Sequence, residues 1–539
     1  MTNTFDYIVV GSGINSLCCA ALLVKKGHTV CLLERESQFG GCIRSADLTL
    51  PGFRHDVLSG FHPLFVTSPS YAILAEDLAK HGLAYENAQK ATATIDSSGN
   101  AAILTQSRED NVQSFNRIHS GDGDRYQQTM REMEGDAELT FSLLGSEPMR
   151  WGTVWTIIKA LRSMGLQDLL RFFGEAMDSS RDWLTRYFQS DVLHALLAPW
   201  VLHTGLGPDA NFSGAMNRLI AFSLESAGMP IVKGGSDKLV EAFVATIREY
   251  GGTLWTEADV TEVLVERGVA TGVVIRRREQ NVSGADGACP YSELYANKAV
   301  ICNVTPDQLY LSLLSPKWVP EGVKEAAQNF QFGRACMQIH LALDAPPQWI
   351  RPELSDVAMV HVCDGLAAVS RAVNQAENGL LPEEATIVVG QPSALDNSRA
   401  PEGKAVLWLQ LQELPRVIRG DAANRIDVPE DGSWNEEVRE AYADRIVTRL
   451  GQYIGNLSEV MLARTVLSPA DLAATNRNLV GGDPYSGHCG IQQFFFWRPL
   501  KQNKNHHTTV KNLYHIGAST HPGPGLGGIS GYMVAQLLG

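Results

Sequence analysis

Three residues near the start of the chain have the types and the spacing to bind a dinucleotide. Gly11 and Gly13 lie in one turn directly after the apolar run YIVV, and Glu34 closes the next apolar run, TVCLLE. The first glycine permits a tight turn, and the second lets the backbone approach a pyrophosphate closely. A helix that begins at such a turn offers unpaired N–H groups to that anion, and the acid can accept hydrogen bonds from both ribose hydroxyls.

These residues need a strand, a helix and a second strand to position them. The sequence predicts that unit: YIVV is a short buried strand, INSLCCAALLVKKG is a helix that begins at Ile14 and Asn15, and TVCLLE is the second strand. Ser16 stands where the usual fingerprint has a third glycine, and it is small enough for close packing. Residues 7–24 form a long uncharged run, but its glycines, serines and asparagine favour the βαβ unit over a membrane span. The acid at Glu34 favours FAD or NAD over NADP.

A second glycine pair, soon after Glu34, favours FAD. It brings another backbone stretch close to the cofactor, and the segment GFRHDVLSGFHPLF then returns toward the middle of an extended ligand. Arg44 reaches the phosphates, whereas Arg35 lies over the adenine or in solvent. This extension is the pattern of FAD-binding flavoproteins with a glutathione-reductase-like fold. The cofactor contacts predicted here are Arg35, Gly40, Gly41, Cys42, Arg44, Ser59 and Gly60.

The middle and the end of the chain extend this pattern into a family resemblance. Residues 228–275 predict a glycine pair, a helix and a β-meander, and residues 296–306 predict another buried strand. With GSGINS, Glu34 and the terminal LYHIGASTHPGPGLGGISG, these motifs resemble the phytoene desaturase-like family of FAD-dependent oxidoreductases. That family includes carotenoid desaturases, carotenoid isomerases and retinol saturases. The match touches most of the chain, but only its FAD motifs are specific.

The resemblance implies a role for the glycine-rich tail. It places Val260 beside the adenine, Gly517 and Ala518 along the ribityl chain, and the tail turn beside the isoalloxazine ring. The helix from Ile529 would point its positive end at the flavin N1–C2=O edge, where negative charge develops on reduction. Ala518 stands where other flavoproteins carry an acid, so backbone or Ser519 must contact the ribityl chain. The tail contacts that the resemblance implies are Gly517, Ala518, Gly525, Leu526, Gly527 and Ile529.

The predicted fold class is α/β, with two domains. A glutathione-reductase-like, Rossmann-type FAD domain, discontinuous in sequence, takes residues 1–85, 228–305 and 500–539. A substrate domain with a mixed sheet and helices takes residues 86–227 and 306–499, including a helical segment at 137–201. Two alternating stretches, 332–347 and 404–415, predict strands that floor the substrate pocket. Their candidate lining positions, for which core or surface roles stay open, are Met337, Ile339, Leu341, Trp408, Gln410 and Gln412.

Composition narrows the choice of partners and compartment. The 539 residues carry a net charge of −14, which argues against nucleic acid as a partner. The nine cysteines are irregularly spaced, so free thiols in a reducing compartment and no metal site are expected. The first residues lack a secretory signal, and a cytoplasmic location is expected. The helical segment 137–201 is either a surface that touches a membrane and admits a lipophilic substrate, or an ordinary packed subdomain.

The sequence shows no clear acid–base constellation. Hydride transfer to a flavin needs little from the protein beyond orientation and, in some enzymes, one base. His62 and His521 lie in segments that should approach the flavin, and each is a candidate proton acceptor or a structural loop histidine. His506 and His507 are expected in a solvated loop.

The function implied by the resemblance is oxidoreduction of a carbon–carbon bond. The enzyme would dehydrogenate or saturate a small or lipophilic, apolar metabolite by hydride transfer at N5 of non-covalently bound FAD. A redox-neutral isomerase on reduced FAD and an oxidase that passes electrons to oxygen stay open as alternatives. A non-enzymatic chaperone of prenylated GTPases shares this fold, but the motif at Gly13, Glu34 and the tail counts against it.

Overall fold

The computed structural model describes residues 3–277, 289 and 292–539; residues 278–288, 290 and 291, within the predicted segment 228–305, lie outside this description. The strands are β1 (Thr4–Val10), β2 (Val30–Leu33), β3 (Ser45–Ala46), β4 (His55–Asp56), β5 (Tyr85–Glu86), β6 (Lys90–Ile95), β7 (Ala101–Thr105), β8 (Ile231–Val232), β9 (Thr253–Trp255), β10 (Ala258–Glu266), β11 (Val269–Arg277), β12 (Glu293–Asn303), β13 (Ala335–Leu343), β14 (Met359–Val362), β15 (Leu380–Leu381), β16 (Ile387–Gly390), β17 (Ala405–Leu414), β18 (Gly420–Asp421), β19 (Met461–Leu467) and β20 (Leu513–Ile516). The helices are α1 (Ile14–Lys25), α2 (Pro63–Val66), α3 (Pro69–Lys80), α4 (Arg108–Ile118), α5 (Asp122–Leu144), α6 (Trp151–Ala176), α7 (Ser180–Tyr187), α8 (Asp191–Leu197), α9 (Ser213–Ala227), α10 (Asp237–Glu249), α11 (Pro306–Gln308), α12 (Glu321–Gln328), α13 (Leu366–Glu377), α14 (Pro392–Leu395), α15 (Glu436–Leu450), α16 (Leu457–Val460), α17 (Pro469–Thr475) and α18 (Ile529–Leu538).

The first sheet has a parallel centre in the order β20-β12-β1-β2-β9, with the antiparallel β10–β11 meander attached to β12. Its strands are apolar on both faces, as expected for a parallel sheet covered on both sides. Val9 packs with the helices on one face, and its neighbour Ile8 packs with the meander on the other. The predicted Rossmann-type α/β fold is confirmed. The strands of this sheet fall within the ranges predicted for the first domain, whose limits stay a prediction.

Helices α1, α10 and α18 pack together on one face of this sheet. Residues 14–24 of α1 are all buried, since the helix lies between the sheet and its two neighbours. The contact with α18 is close enough that a Cβ on Gly531 would lie 1.8 Å from the Asn15 carbonyl oxygen. The first and last helices of the chain therefore form one layer.

The second sheet is mixed and has the order β19-β13-β17-β16-β14-β6-β7, with β14 and β6 parallel and the other neighbours antiparallel. One face carries the apolar residues of β13, β17 and β16 and packs under α15. The other face is covered by helices that include α8, α9 and α13, and by a cavity. The sheet thus separates an apolar core on one face from the cavity on the other.

The helical segment predicted at 137–201 contains both buried and exposed apolar side chains, and its contact with a membrane stays a prediction. Trp183 and Leu193, on α7 and α8, are buried against the sheet, as in an ordinary subdomain. In contrast, α6 leaves large apolar side chains in solvent, among them Trp151 at 81% and Leu166 at 62% exposure. Within the described part of the chain, no helix combines the length and hydrophobicity needed to cross a membrane.

A buried carboxyl group in the second sheet makes stability depend on pH. Glu413 is fully buried, its Oε1 accepts a hydrogen bond from the Thr386 hydroxyl at 2.8 Å, and burial raises its pKa to about 7. Since the folded pKa is above the unfolded one, this contribution to stability is complete below about pH 4.5 and is lost as the pH rises through about 7.

We therefore expect Glu413→Gln to unfold with a flatter pH profile than the wild type. At pH 8 the variant should be more stable by on the order of 2 kcal/mol, because glutamine needs no ionisation in the core. Urea unfolding at pH 5 and pH 8 measures the difference, with the exposed Glu402→Gln as the control. Parallel pH profiles for wild type and Glu413→Gln would contradict the expectation.

Candidate cofactor and substrate cavity

One continuous cavity of about 680 Å³ begins at the carboxyl ends of the parallel strands and reaches the second sheet. Ligands bind at this edge of open α/β sheets because the strand order reverses there and leaves a crevice. Its first end is lined by Val10, Glu34 and Asn303, which end or follow β1, β2 and β12. Its second end is lined by α9, the tail and the floor strands β13, β14 and β17.

Most of the predicted cofactor residues share this cavity. Three predicted contacts in the tail, Gly517, Gly527 and Ile529, are not among the lining residues, although Ala518 and Leu526, next to the first two, are. Their roles, like those of the residues that do line the cavity, stay predictions. The predicted residues that line it are Gly11, Gly13, Ile14, Asn15, Glu34, Arg35, Gly40, Gly41, Cys42, Arg44, Ser59, Gly60, Val260, Ala518, Gly525 and Leu526.

Glu34 ties the turns of the first end together. Its Oε2 accepts hydrogen bonds from the Ser12 N–H at 3.1 Å and the Ser12 hydroxyl at 2.5 Å. The same hydroxyl accepts a hydrogen bond from the Gly40 N–H at 2.9 Å. Glu34 therefore fixes the Gly11–Gly13 turn and the second glycine pair, while its remaining lone pairs can still accept from a ribose.

The glycines of the first end are required by close backbone approaches. Gly11 has φ +86°, and a Cβ there would lie 3.2 Å from the Asn303 carbonyl oxygen. A Cβ on Gly41, at φ +59°, would lie 3.2 Å from the Gly13 Cα. Asn303 also donates a hydrogen bond from Nδ2 to the Ser16 hydroxyl at 2.9 Å, which explains serine at the third glycine position. Asn303 escaped prediction, although the end of a buried parallel strand was the signal for it.

Arg44 provides a cation without a carboxylate partner. It lines the cavity, its Nε is buried, and no acceptor or ion-pair partner for it lies in residues 3–277, 289 or 292–539. In contrast, the Arg35 Nε lies 2.8 Å from the Glu36 carboxylate, so its charge is already paired. Arg44 and the N-terminus of α1, which has no side-chain cap, together suit an anionic pyrophosphate. The residues present thus fit a dinucleotide.

The tail reaches the cavity at Ala518 and again from Pro522 to Leu526. The Ala518 carbonyl accepts hydrogen bonds from Nε and Nη2 of Arg498 at 3.1 and 2.7 Å. Arg498 is buried and donates to the carbonyls of His488 and Tyr485 as well. Arg498, which the sequence analysis did not single out, therefore positions the tail.

The second end of the cavity is apolar with a polar floor. Trp408, Gln410 and Gln412 line it, as the sequence suggested. The β13 positions Met337, Ile339 and Leu341 lie in the core under α15, so the core role, which the sequence left open, is the one they take. The opposite face of β13 supplies Cys336 and Gln338 to the cavity. The polar residues of β13 face the cavity because its apolar side chains pack in the core on the other face of the sheet.

Comparisons with known proteins agree with this geometry. Residues 9–77 match the family model of the NAD(P)-binding Rossmann-like domain. The chain is 25% identical over 569 residues to pyridine nucleotide-disulfide oxidoreductase domain-containing protein 2 of Mus musculus, covering 99% of this chain and 93% of that protein. It is 22% identical over 537 residues to a 4,4'-diapophytoene desaturase (4,4'-diapolycopene-forming) of Methylomonas sp., covering 98% and 93%. This chain is an oxidoreductase, and it resembles the phytoene desaturase-like family over its whole length.

The fold is shared with a solved structure of an oxidoreductase from Methanosarcina mazei. The two superpose with a TM-score of 0.59 at 15% identity, over 98% of this chain and 99% of that one. This likeness supports the fold alone. The family match at residues 9–77 agrees with a dinucleotide at the first end of the cavity.

The two histidines proposed as proton acceptors lie outside the lining of the oxidoreductase cavity. His62 is buried with Nδ1 3.4 Å from the Tyr85 hydroxyl, and burial lowers its pKa to about 4. His521 is buried with its ring against Phe495, and burial lowers its pKa to about 3. The catalytic roles of His62 and His521 stay predictions. The lining histidine is His203, which the sequence did not single out.

His506 corrects another expectation. It is fully buried rather than solvated, with Nδ1 2.7 Å from the Glu147 carboxylate and Nε2 3.0 Å from the Ser530 hydroxyl. His507 is exposed, as expected. His506 thereby links the loop before α6 to the start of α18. Because His506 and Glu147 are far apart in sequence, no local pattern could predict their contact.

Arg44→Met should weaken FAD binding more than Arg35→Met. We expect the dissociation constant of FAD to rise about 10- to 100-fold for Arg44→Met, since a charge-assisted contact with phosphate is lost. The paired Arg35 should give a smaller rise. Titration of FAD into the apoprotein, followed by flavin fluorescence, measures both. Equal losses at the two positions would contradict a specific role for Arg44.

Proposed function

We propose that this oxidoreductase removes hydrogen from, or adds it to, a carbon–carbon bond of a lipophilic metabolite, with FAD held non-covalently. The supporting observation is a single cavity that runs from a dinucleotide cradle to an enclosure without charged lining. Among its lining residues, Glu34, Arg35, Glu36, Arg44, Asp259 and Arg477 are charged, and all belong to the cradle side. An uncharged enclosure suits an apolar substrate and disfavours ionic ones.

The cradle residues would hold the cofactor in defined roles. Arg44 and the α1 N-terminus would bind the pyrophosphate, Glu34 the adenosine ribose, and the tail from Ala518 the flavin end. Bound there, FAD would supply hydride exchange at N5. Phe212, directly before α9, and Met216 on α9 line the cavity and would exclude water from the substrate. His203 lines the enclosure and is neutral, because burial lowers its pKa to about 3, so it adds no charge there.

The proposal is tested on small molecules released from the purified protein. After its visible spectrum is recorded, the protein is precipitated with acid, and the supernatant is analysed by mass spectrometry. We expect FAD in the supernatant together with a lipophilic compound. Flavin confined to the pellet contradicts non-covalent binding, and absence of flavin after incubation with FAD overturns the enzyme proposal. Rapid reoxidation by oxygen would favour the oxidase, and turnover without net redox change the isomerase.

We also propose that α6 rests on a membrane surface near the substrate entrance. Trp155 and Leu170, exposed like Trp151 and Leu166, offer an apolar face. Lys159 and Arg171 are exposed too, but Glu138 and Asp168 pair with them, so the proposal rests on the apolar face. This helix packs on α5 and α9, and α9 lines the cavity.

Sedimentation with vesicles of phosphatidylcholine and phosphatidylserine tests this contact. The wild type should sediment with the vesicles, and a Trp155→Ser/Leu166→Ser variant should stay in solution. Ile350→Ser, which alters an exposed apolar residue elsewhere, is the control and should sediment. A wild type that does not bind vesicles overturns the proposal.

A further inference from the structure

The cavity floor carries a row of amide side chains that a purely hydrocarbon substrate would leave unsatisfied. Gln338 on β13 lies directly opposite Gln410 on β17, and Gln412 follows on the same face of β17. All three line the cavity. Gln338 and Gln412 are only 1% and 4% exposed. These amides are therefore buried donors and acceptors that face the space for a substrate.

Hydrogen bonding within the protein does not satisfy this row. The Oε1 atoms of Gln338 and Gln412 have no hydrogen-bond partner in the described structure. The Gln338 Nε2 donates only to the Cys336 sulfur at 4.0 Å, which is a weak acceptor. Buried amides without partners cost folding free energy, so their presence on one face of the sheet points to a ligand group that completes them.

The row lies at the boundary between the cradle and the apolar enclosure. At one end Cys336 packs with Cys42 and so with the second glycine pair of the cradle. At the other end Trp408 packs edge-on against Phe61, with ring centroids 6.0 Å apart. The glutamines between them lie where the cradle side meets the apolar enclosure. A polar group of the substrate held here is close to the part of the molecule that reaches the cofactor.

The lining also restricts the charge of that group. The floor and the α9 side of the enclosure contribute no acidic or basic side chain among the described lining residues. A carboxylate or an ammonium would be desolvated without a counter-ion, which buried charges require. A hydroxyl, carbonyl or carboxamide can both be uncharged and satisfy glutamine amides.

We propose that the substrate is a lipophile with one uncharged hydrogen-bonding group, held by Gln338, Gln410 and Gln412, rather than a plain hydrocarbon. This inference rests on the proposed function and names its substrate class. The group orients an otherwise featureless chain, so that one carbon–carbon bond is presented for reaction.

The test uses the purified holoenzyme and two probes with related carbon skeletons, farnesol and β-farnesene. Binding is followed by quenching of tryptophan fluorescence, since Trp200 and Trp408 line the cavity. We expect farnesol to bind at least tenfold more tightly than β-farnesene, because a site built for a hydroxyl rejects the analogue that lacks it. In Gln338→Leu/Gln410→Leu the ratio should fall to about one.

Two further measurements sharpen the outcome. The matched control Met337→Leu alters the adjacent residue on β13 that faces the core, and it should keep the preference for farnesol. The thermal midpoint of the double variant should not fall, whereas glutamines with a structural role would make it fall. Equal affinity for both probes, binding of neither, or a preference that survives in the double variant overturns the inference. Flavin content of the same samples reports on the proposed function separately.

Discussion

Replacing Gly531 with alanine should lower the free energy of unfolding by about 3 kcal/mol. The added Cβ would lie 1.8 Å from the carbonyl oxygen of Asn15 and 2.7 Å from its carbonyl carbon. Both are main-chain atoms inside α1, so no side-chain rotation can relieve the clash. Helices α1 and α18 must therefore separate. The first end of the cavity is then no longer aligned with the C-terminal tail that lines it. The holoenzyme should lose FAD together with stability.

Gly135→Ala provides the matched control for this change. Gly135 lies within α5, and a Cβ there would meet nothing within 4 Å. Alanine in a helix interior is favoured over glycine, so this variant should be as stable as the wild type or gain up to about 1 kcal/mol. Urea unfolding and flavin content are measured for both. Equal stability of the two variants would show that the α1–α18 contact is not tight.

Arg399→Met should cost about 3–5 kcal/mol, because it removes one partner from a buried ionic network. Arg399 is fully buried and donates from Nη1 to Asp56 at 2.9 Å, from Nε to Asp396 at 3.1 Å and from Nη2 to the Val232 carbonyl at 2.7 Å. The network joins the segment after the second glycine pair, the strand before α10 and the loop before β17. Methionine fills much of the same volume but leaves two buried carboxylates without a cation.

Two further variants separate the ionic network from general effects of losing an arginine. Arg181→Met removes an exposed ion pair with Asp209 and should cost no more than about 1 kcal/mol. Adding Asp56→Asn to Arg399→Met removes one of the stranded charges and should recover part of the loss. Chemical unfolding at pH 7 measures all of them. A loss at Arg399 no larger than at Arg181 would contradict the prediction.

The first end of the cavity was predictable because its signals are local. The Gly11–Gly13 turn, the α1 start and Glu34 are fixed by spacing within one βαβ unit, and the family match at residues 9–77 confirms that unit. The second sheet was predicted to be mixed, but the side of each strand that meets the core was not predicted. β13 pairs with β17 and β19, far along the chain, and only that pairing decides which side meets the core.

The same physical reason explains the missed site residues. Gln338 was not predicted because the apolar residues of β13 were expected to line an apolar pocket, whereas they lie in the core. The partners of Asn303, His203 and Arg498 come from other segments of the chain and reach these residues only in the folded structure. Charge and glycine patterns in a single sequence report on local backbone demands, and partners across the fold leave no such pattern.

The layer shared by α1 and α18 can form only after both helices have been synthesised. Helix α1 is synthesised long before α18, the helix that packs against it. Until α18 is made, an apolar face of α1 has no native neighbour, and exposed apolar surface of this kind favours misfolding. We expect the cofactor site to be complete only once α18 is in place. A premature stop anywhere before α18 would yield a chain that cannot complete its redox centre, however much of the enclosure it had folded.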